Sequence, residues 1–424
     1  MEKKVGLVLG GGGTKGAYQS GAIKALRNLG KSWDIVTGTS IGALNGCLVV
    51  QGDYDALYSI WDNVVVSDIL NGAVDLDFNF EDVINKPSLY ANFLKKYVDE
   101  KGADIEPFSK LLDKYLDKEK LMQSKIDYGC TAVVYPILKP VLVTKDMMYE
   151  KGKDYIISSA SCFPIFPVHR FDDQSYIDGG YYDNLPIEFA LDLGATEIIA
   201  VDLFPKPTHI NFYNRENIKY IYPKHDIGIM FNFDREVIDR NIKCGFNDVY
   251  KAYGKYLGFK YTFSPFEKPS FFTSFYLTVM KLEIKISKMV NFKDDSFITN
   301  HFMKVQNKGY LIEEDLSFGI IDELMSILKM PVEDVYTFDK LALLILETFK
   351  NAFSEDFNLI NISAEKINEV FNSFDRVGII SKIINQILYP EKAFVSIDLL
   401  LSVDPLVVAM AYWIIDMVKY VTES

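Results

Sequence analysis

A short apolar run, Val5 to Leu9, stops at four glycines, Gly10 to Gly13, and a second, Ile35 to Thr37, enters Gly38-Thr39-Ser40-Ile41-Gly42. Each glycine turn is followed by a stretch with helical spacing: Ala17 to Leu29, closed by Gly30, and Ala43 to Val50. Strands that are apolar throughout are buried on both faces, which is the habit of parallel sheets covered by helices. Strand, turn, helix, repeated twice, therefore commits the chain to an α/β sheet with right-handed crossovers.

Further strands are expected at Tyr128 to Tyr135, Val141 to Thr144, Ser175 to Ile177 and Glu197 to Val201, giving a sheet of five or six strands. The segment from Tyr54 to Met122 reads as a helical excursion on one side of that sheet. After Pro205-Lys206-Pro207 long amphipathic stretches take over, at Lys340 to Ala352, Ala364 to Phe374 and Pro405 to Tyr420. Residues 1–205 are thus expected to form the α/β domain and residues 206–424 a mainly α-helical region.

The chain has 424 residues, 49% of them hydrophobic and 24% charged, which is the composition of a folded globular protein. Its formal net charge is −13, a field that repels nucleic acid and gives no long-range pull toward anionic membranes. Cys47, Cys130, Cys162 and Cys244 lack CxxC spacing, so reduced core thiols are expected and neither disulfides nor a metal cluster. Met1-Glu2-Lys3-Lys4 leads straight into the first strand without a leader-like apolar region, which sets the expectation of a cytoplasmic protein. The apolar stretch Pro405 to Val418 is short for a membrane span and contains Asp416, so a buried helix is expected.

Acyl transfer needs a nucleophile, a base and donors aimed at a developing oxyanion. Gly38-Thr39-Ser40-Ile41-Gly42 fits G-x-S-x-G, in which the serine projects from a strained strand-to-helix turn; the plain alternative is a glycine turn with a helix-capping serine. Gly11-Gly12-Gly13-Thr14-Lys15-Gly16 can turn consecutive amides inward, with Lys15 adding positive charge. Asp178-Gly179-Gly180 is by itself a turn signal. Histidine scarcity raises its weight: only His169, His209, His225 and His301 exist, none in a recognisable motif, so a carboxylate base is favoured over a Ser-His-Asp triad.

The first glycine string also satisfies G-x-G-x-x-G, the dinucleotide fingerprint. That reading wants an acid at the end of the second strand, whereas Asp34 stands at its start, and Gly16 after Lys15 breaks the Walker A pattern.

A glycine turn with Lys15 and Gly16, then G-x-S-x-G at Gly38 to Gly42, then Asp178-Gly179-Gly180, resembles the motif set of bacterial-type patatin-like phospholipases. Ala160-Ser161-Cys162-Phe163-Pro164-Ile165-Phe166-Pro167 is similar to the stretch that precedes the family's aspartate, although Cys162-Phe163 is bulkier than usual. The resemblance spans about Lys4 to Leu203. It implies a three-layer α/β/α sandwich with a mostly parallel sheet, Ser40 as nucleophile, Asp178 as proton acceptor, and Gly11, Gly12 and Gly13 as the oxyanion hole. It also implies no metal or other cofactor, and a phospholipid, lysophospholipid or other acyl ester as substrate, met through transient membrane-surface contact.

On this reading Asp178 must be desolvated, because an ordinary carboxylate is too weak a base for a serine hydroxyl. Acyl transfer to an acceptor other than water, and a non-catalytic phosphate- or nucleotide-binding module, are the alternatives. For the helical region the aromatic run Phe271 to Tyr276 suggests a lid or membrane-facing cover, with oligomerisation or plain core packing as the other readings. Oligomeric state is not legible.

Overall fold

A computed structural model describes residues 3–71, 102–289, 297–355, 375–393 and 396–423. It separates into two compact units, Met1–Gly254 and Lys255–Ser424. The expected stretch Ala364 to Phe374, and the part of the helical excursion between residues 72 and 101, lie outside the described residues.

In the first unit the order is β1 (Val5–Leu9), α1 (Gly16–Asn28), β2 (Ile35–Thr39), α2 (Ile41–Gln51), α3 (Tyr54–Asn63), α4 (Glu106–Tyr115) and α5 (Lys118–Gln123). There follow β3 (Asp127–Val134), β4 (Lys139–Thr144), α6 (Met148–Ser159), β5 (His169–Phe171), β6 (Gln174–Asp178), α7 (Ile187–Asp192), β7 (Glu197–Val201), α8 (Ile210–Tyr213), β8 (Ile218–Ile221) and α9 (Arg235–Ala252). The eight strands form one sheet in the order β5-β6-β3-β2-β1-β7-β8, with β4 also on β3. β1, β2, β3, β7 and β8 are mutually parallel, and β4, β5 and β6 run antiparallel to their neighbours.

Alternation along β1 sends Leu9 toward α2, where its side chain approaches Gly46, and Gly6 and Val8 toward Ala190 on α7. Both faces are therefore covered, which is why Leu7, Val8 and Leu9 are fully buried and the strand carries no polar side.

β3 has partners on both edges, and one edge is shared. β4 pairs with residues 129–134 and overlaps the registers of both β2 and β6, so it holds one edge alone. β2 and β6 meet head-on along the other, with Thr39 opposite Thr131 and Asp178 opposite Ala132.

The expected boundary near residue 206 is corrected to residue 254, and the expected five or six strands to eight. β8 extends the sheet beyond β7, and α9 lies against α1 so closely that a methyl on Gly21 would sit 1.8 Å from the Ile242 carbonyl, and one on Gly245 1.9 Å from that of Tyr18. Tyr18 Oη also donates to Asp248 at 2.7 Å. Residues 206–254 thus complete the α/β unit.

The second unit contains β9 (Thr262–Phe263) paired with β10 (Val335–Tyr336), and α10 (Phe271–Ile286), α11 (Ile298–Gln306), α12 (Glu313–Ile327), α13 (Phe338–Phe349), α14 (Arg376–Leu388), α15 (Ile397–Val403) and α16 (Pro405–Glu423). Phe263, Phe272, Phe275, Phe302, Phe349 and Trp413 fill its core. Within the aromatic run Phe271 to Tyr276, Phe271, Phe272 and Phe275 point into that core, so the rings suggested for a lid face are packing residues. α16 runs past the expected Val418 to Glu423; by length and composition it is the one helix among the described residues that could cross a membrane, and Val407, Trp413 and Ile414 on it are buried in the core.

Candidate active site

Ser40 sits between β2 and α2 with φ 55° and ψ −123°. That conformation costs on the order of 1–3 kcal/mol, and the surroundings enforce it. A methyl on Gly42 would lie 2.2 Å from the Leu9 carbonyl, and one on Gly38 2.3 Å from the Gly42 carbonyl. Only glycines let the strand, the turn and the first turn of α2 approach this closely. Ser40 does not cap its helix with its side chain, which removes the capping alternative. Its amide instead donates to Ser159 Oγ at 2.9 Å, and its side chain lies near enough to the Asp178 carboxyl to lower that group's proton affinity.

Asp178 ends β6. One carboxylate oxygen, Oδ1, accepts the Gly180 amide at 2.7 Å, so the Asp-Gly-Gly turn forms as its composition suggests. Gly179 is needed because a methyl there would lie 2.3 Å from the Thr131 carbonyl. Asp178 is 5% exposed, and burial pushes its carboxyl up to about 7, against the opposing pull of the hydrogen bonds from Gly180 and Ser40.

The glycine turn closes on the same point, but with fewer free donors than expected. The Gly11 amide is donated to the Asn184 carbonyl at 3.0 Å, so Gly11 is corrected from oxyanion donor to spacer. A methyl on it would sit 3.1 Å from Ser40 Cβ and 2.4 Å from Asn184 Oδ1. The amides of Gly12 and Gly13 have no acceptor among the described residues, and Gly13 holds φ +57° with its α-carbon against the Met230 carbonyl. Lys15 is buried with its ammonium 5.0 Å from the centre of the Phe204 ring, and Gly16 passes beneath Ile41 and Trp61. Asp34 accepts the Val5 amide at 2.8 Å and ties the starts of β1 and β2, a structural duty far from the turn that a nucleotide would occupy.

Histidine takes no part in the pair. Among the described residues neither Ser40 nor Asp178 contacts an imidazole, while His169 is bound to Asp154 at 2.9 Å and His209 to Asp183 at 3.0 Å. The Asp183 hydrogen bond raises the His209 imidazole above its usual range.

Beside Ser40 opens an apolar cavity of about 70 Å³, several times what one water needs. Gly13, Thr14 and Ser40 line it together with Trp61, Phe108, Cys162, Phe166 and Phe231, and among the described residues no charged group does. Cys162 Sγ lies 3.9 Å from Met230 Sδ across the wall. Met230, Phe231 and Phe233 follow the boundary drawn in the sequence and carry no motif, so nothing in the sequence marked them. Ser159 and Asn184 were missed for the same reason.

The family model for patatin-like phospholipase matches residues 7–191, a stretch that contains the glycine turn, Ser40 and Asp178. Lysophospholipase nte1 of Aspergillus terreus is 29% identical over 204 residues, and that of Aspergillus niger 28% over 204 residues. Each match takes in 47% of this chain but 12% of the fungal protein, so the chain spans a small part of the length of these relatives. Among solved structures, VipD from Legionella pneumophila aligns with 98% of this chain and 92% of its own at 15% identity, with a TM-score of 0.41. With its motifs, its mixed and mostly parallel sheet and the matched residues in agreement, the first unit carries a patatin-like phospholipase domain over residues 7–191.

Proposed function

We propose that the first unit is a serine-dependent acyl hydrolase of lipid esters, working through a Ser40–Asp178 dyad. The observation that carries the reading is a serine held in a strained strand-to-helix turn at an apolar cavity, with the buried, desolvated Asp178 carboxyl nearby. Asp178, with a proton affinity near neutrality, accepts the hydroxyl proton as Ser40 Oγ bonds to the ester carbonyl carbon. The carbonyl oxygen gains the negative charge and is met by the amides of Gly12 and Gly13. Asp178 returns the proton to the departing alcohol, and a water, deprotonated by the same carboxylate, releases the acid and frees Ser40. The cavity holds the acyl chain, which supports a lipid ester over a polar one.

The test pairs labelling with turnover. A fluorophosphonate probe should label the wild type and not Ser40→Ala, and the wild type should release fatty acid from a panel of phospholipids and lysophospholipids while Ser40→Ala does not. Equal labelling or equal release by the two proteins would end the assignment.

A further inference from the structure

The β3–β4 connection, residues 135–138, places its least polar side chains in solvent. Ile137 is 70% exposed and Leu138 58%, with Tyr135 and Tyr182 also exposed. Leu138 holds φ 55°, a conformation that glycine or asparagine adopts at far lower cost than a bulky residue. Neither local geometry nor contact with water favours a leucine there, and none of the described residues buries it, which points to an apolar surface that receives the side chain.

Position narrows what that is. β3 runs parallel to β2 and continues past the level of Ser40, since Thr39 stands opposite Thr131. At about 3.3 Å per residue the connection rises within about 20 Å of the nucleophile, at the same end of the sheet. It is joined to the cavity wall: the Tyr135 ring is 5.5 Å from that of Phe163, the Tyr181 hydroxyl donates to the Phe163 carbonyl, and the preceding residue, Cys162, lines the cavity. Two aliphatic tips and a few tyrosines fall well short of the 20–30 residues a protein partner typically engages. They match what a lipid interface takes up, namely aliphatic side chains below and tyrosines at headgroup level.

We propose that this hairpin tip is the protein's docking surface for a zwitterionic lipid layer, inserting Ile137 and Leu138 beside the mouth of the acyl cavity. The proposal rests on the acyl hydrolase reading for the identity of the partner. A net charge of −13 excludes long-range attraction to anionic lipid as the driving force, leaving the apolar contact to supply it.

The experiment measures sedimentation of the full chain with phosphatidylcholine vesicles, in a Ser40→Ala background so that no lipid is consumed. Ile137→Ser with Leu138→Asn removes the apolar tip, and asparagine suits the positive φ, so the hairpin itself is kept. Partitioning should fall by about tenfold or more, should resist high salt, and should not rise when phosphatidylserine is added. With Ser40 intact, the double variant should hydrolyse a water-soluble p-nitrophenyl ester at the wild-type rate. Failure of the parent protein to sediment, equal sedimentation of the two, or a self-association that the double variant abolishes in place of vesicle binding would each overturn the proposal. Absence of ester hydrolysis in both proteins alongside a clear difference in sedimentation would overturn the hydrolase reading and leave the docking surface standing.

Discussion

Replacing Asp178 by asparagine should make the protein more stable and less active at the same time, and the stability gain should depend on pH. In the unfolded chain this carboxyl ionises near 3.8, and in the fold at about 7. Between those values the folded state holds a proton that the unfolded state has lost, so native stability falls as pH rises through the window and stays reduced above it. Three units at about 1.4 kcal/mol each set an upper bound of roughly 4 kcal/mol. Asparagine is neutral throughout, can still accept the Gly180 amide, and can donate to Ser40 Oγ. The variant's melting temperature should therefore match the wild type near pH 4 and exceed it by about 5–10 °C near pH 8, for a unit of this size. Wild-type kcat/KM should rise about tenfold per pH unit up to about 7 and then level off, while the variant loses about a thousandfold or more at every pH. A melting difference that does not grow with pH would show that Asp178 is not the buried, high-affinity base described.

Two further substitutions probe the cavity and the corrected boundary. Cys162→Ala should widen the cavity beside Met230 and shift the ratio of kcat/KM for long over short p-nitrophenyl esters upward by several-fold; an unchanged ratio would remove Cys162 from acyl selection. Gly245→Ala should force α9 off α1, because the added methyl meets the Tyr18 carbonyl, at a cost of about 1–3 kcal/mol or more in denaturant unfolding of the first unit. No loss of stability would mean that α9 is not integral to it.

The first fifty residues were legible because their signals are local: β1, α1, β2 and α2 each announce themselves by an apolar run and a glycine turn, and all four lie where expected. Ser40 and Asp178 are recognisable as motif residues, but the nearness of the strand ends that carry them is not, since it depends on two strands sharing one edge of β3. The Gly11 amide was misjudged because its acceptor, the Asn184 carbonyl, is distant in the chain and any residue could have supplied it. β-type alternation is lost at Pro205-Lys206-Pro207, yet the sheet continues past it to β8. β8 is a four-residue strand, too short to show a period, and α9 reads as an ordinary amphipathic helix.

The abutment of β2 and β6 along β3 makes that strand a ruler for the chemistry. Loops between the elbow and the aspartate can lengthen or shrink without separating the two groups, because their spacing is read from neighbouring rungs, Thr131 and Ala132, and not from the path between them. A single residue inserted between those rungs would turn the carboxylate to the opposite face of the sheet. Variation among such domains should therefore gather in the connections and spare the length of the ruler.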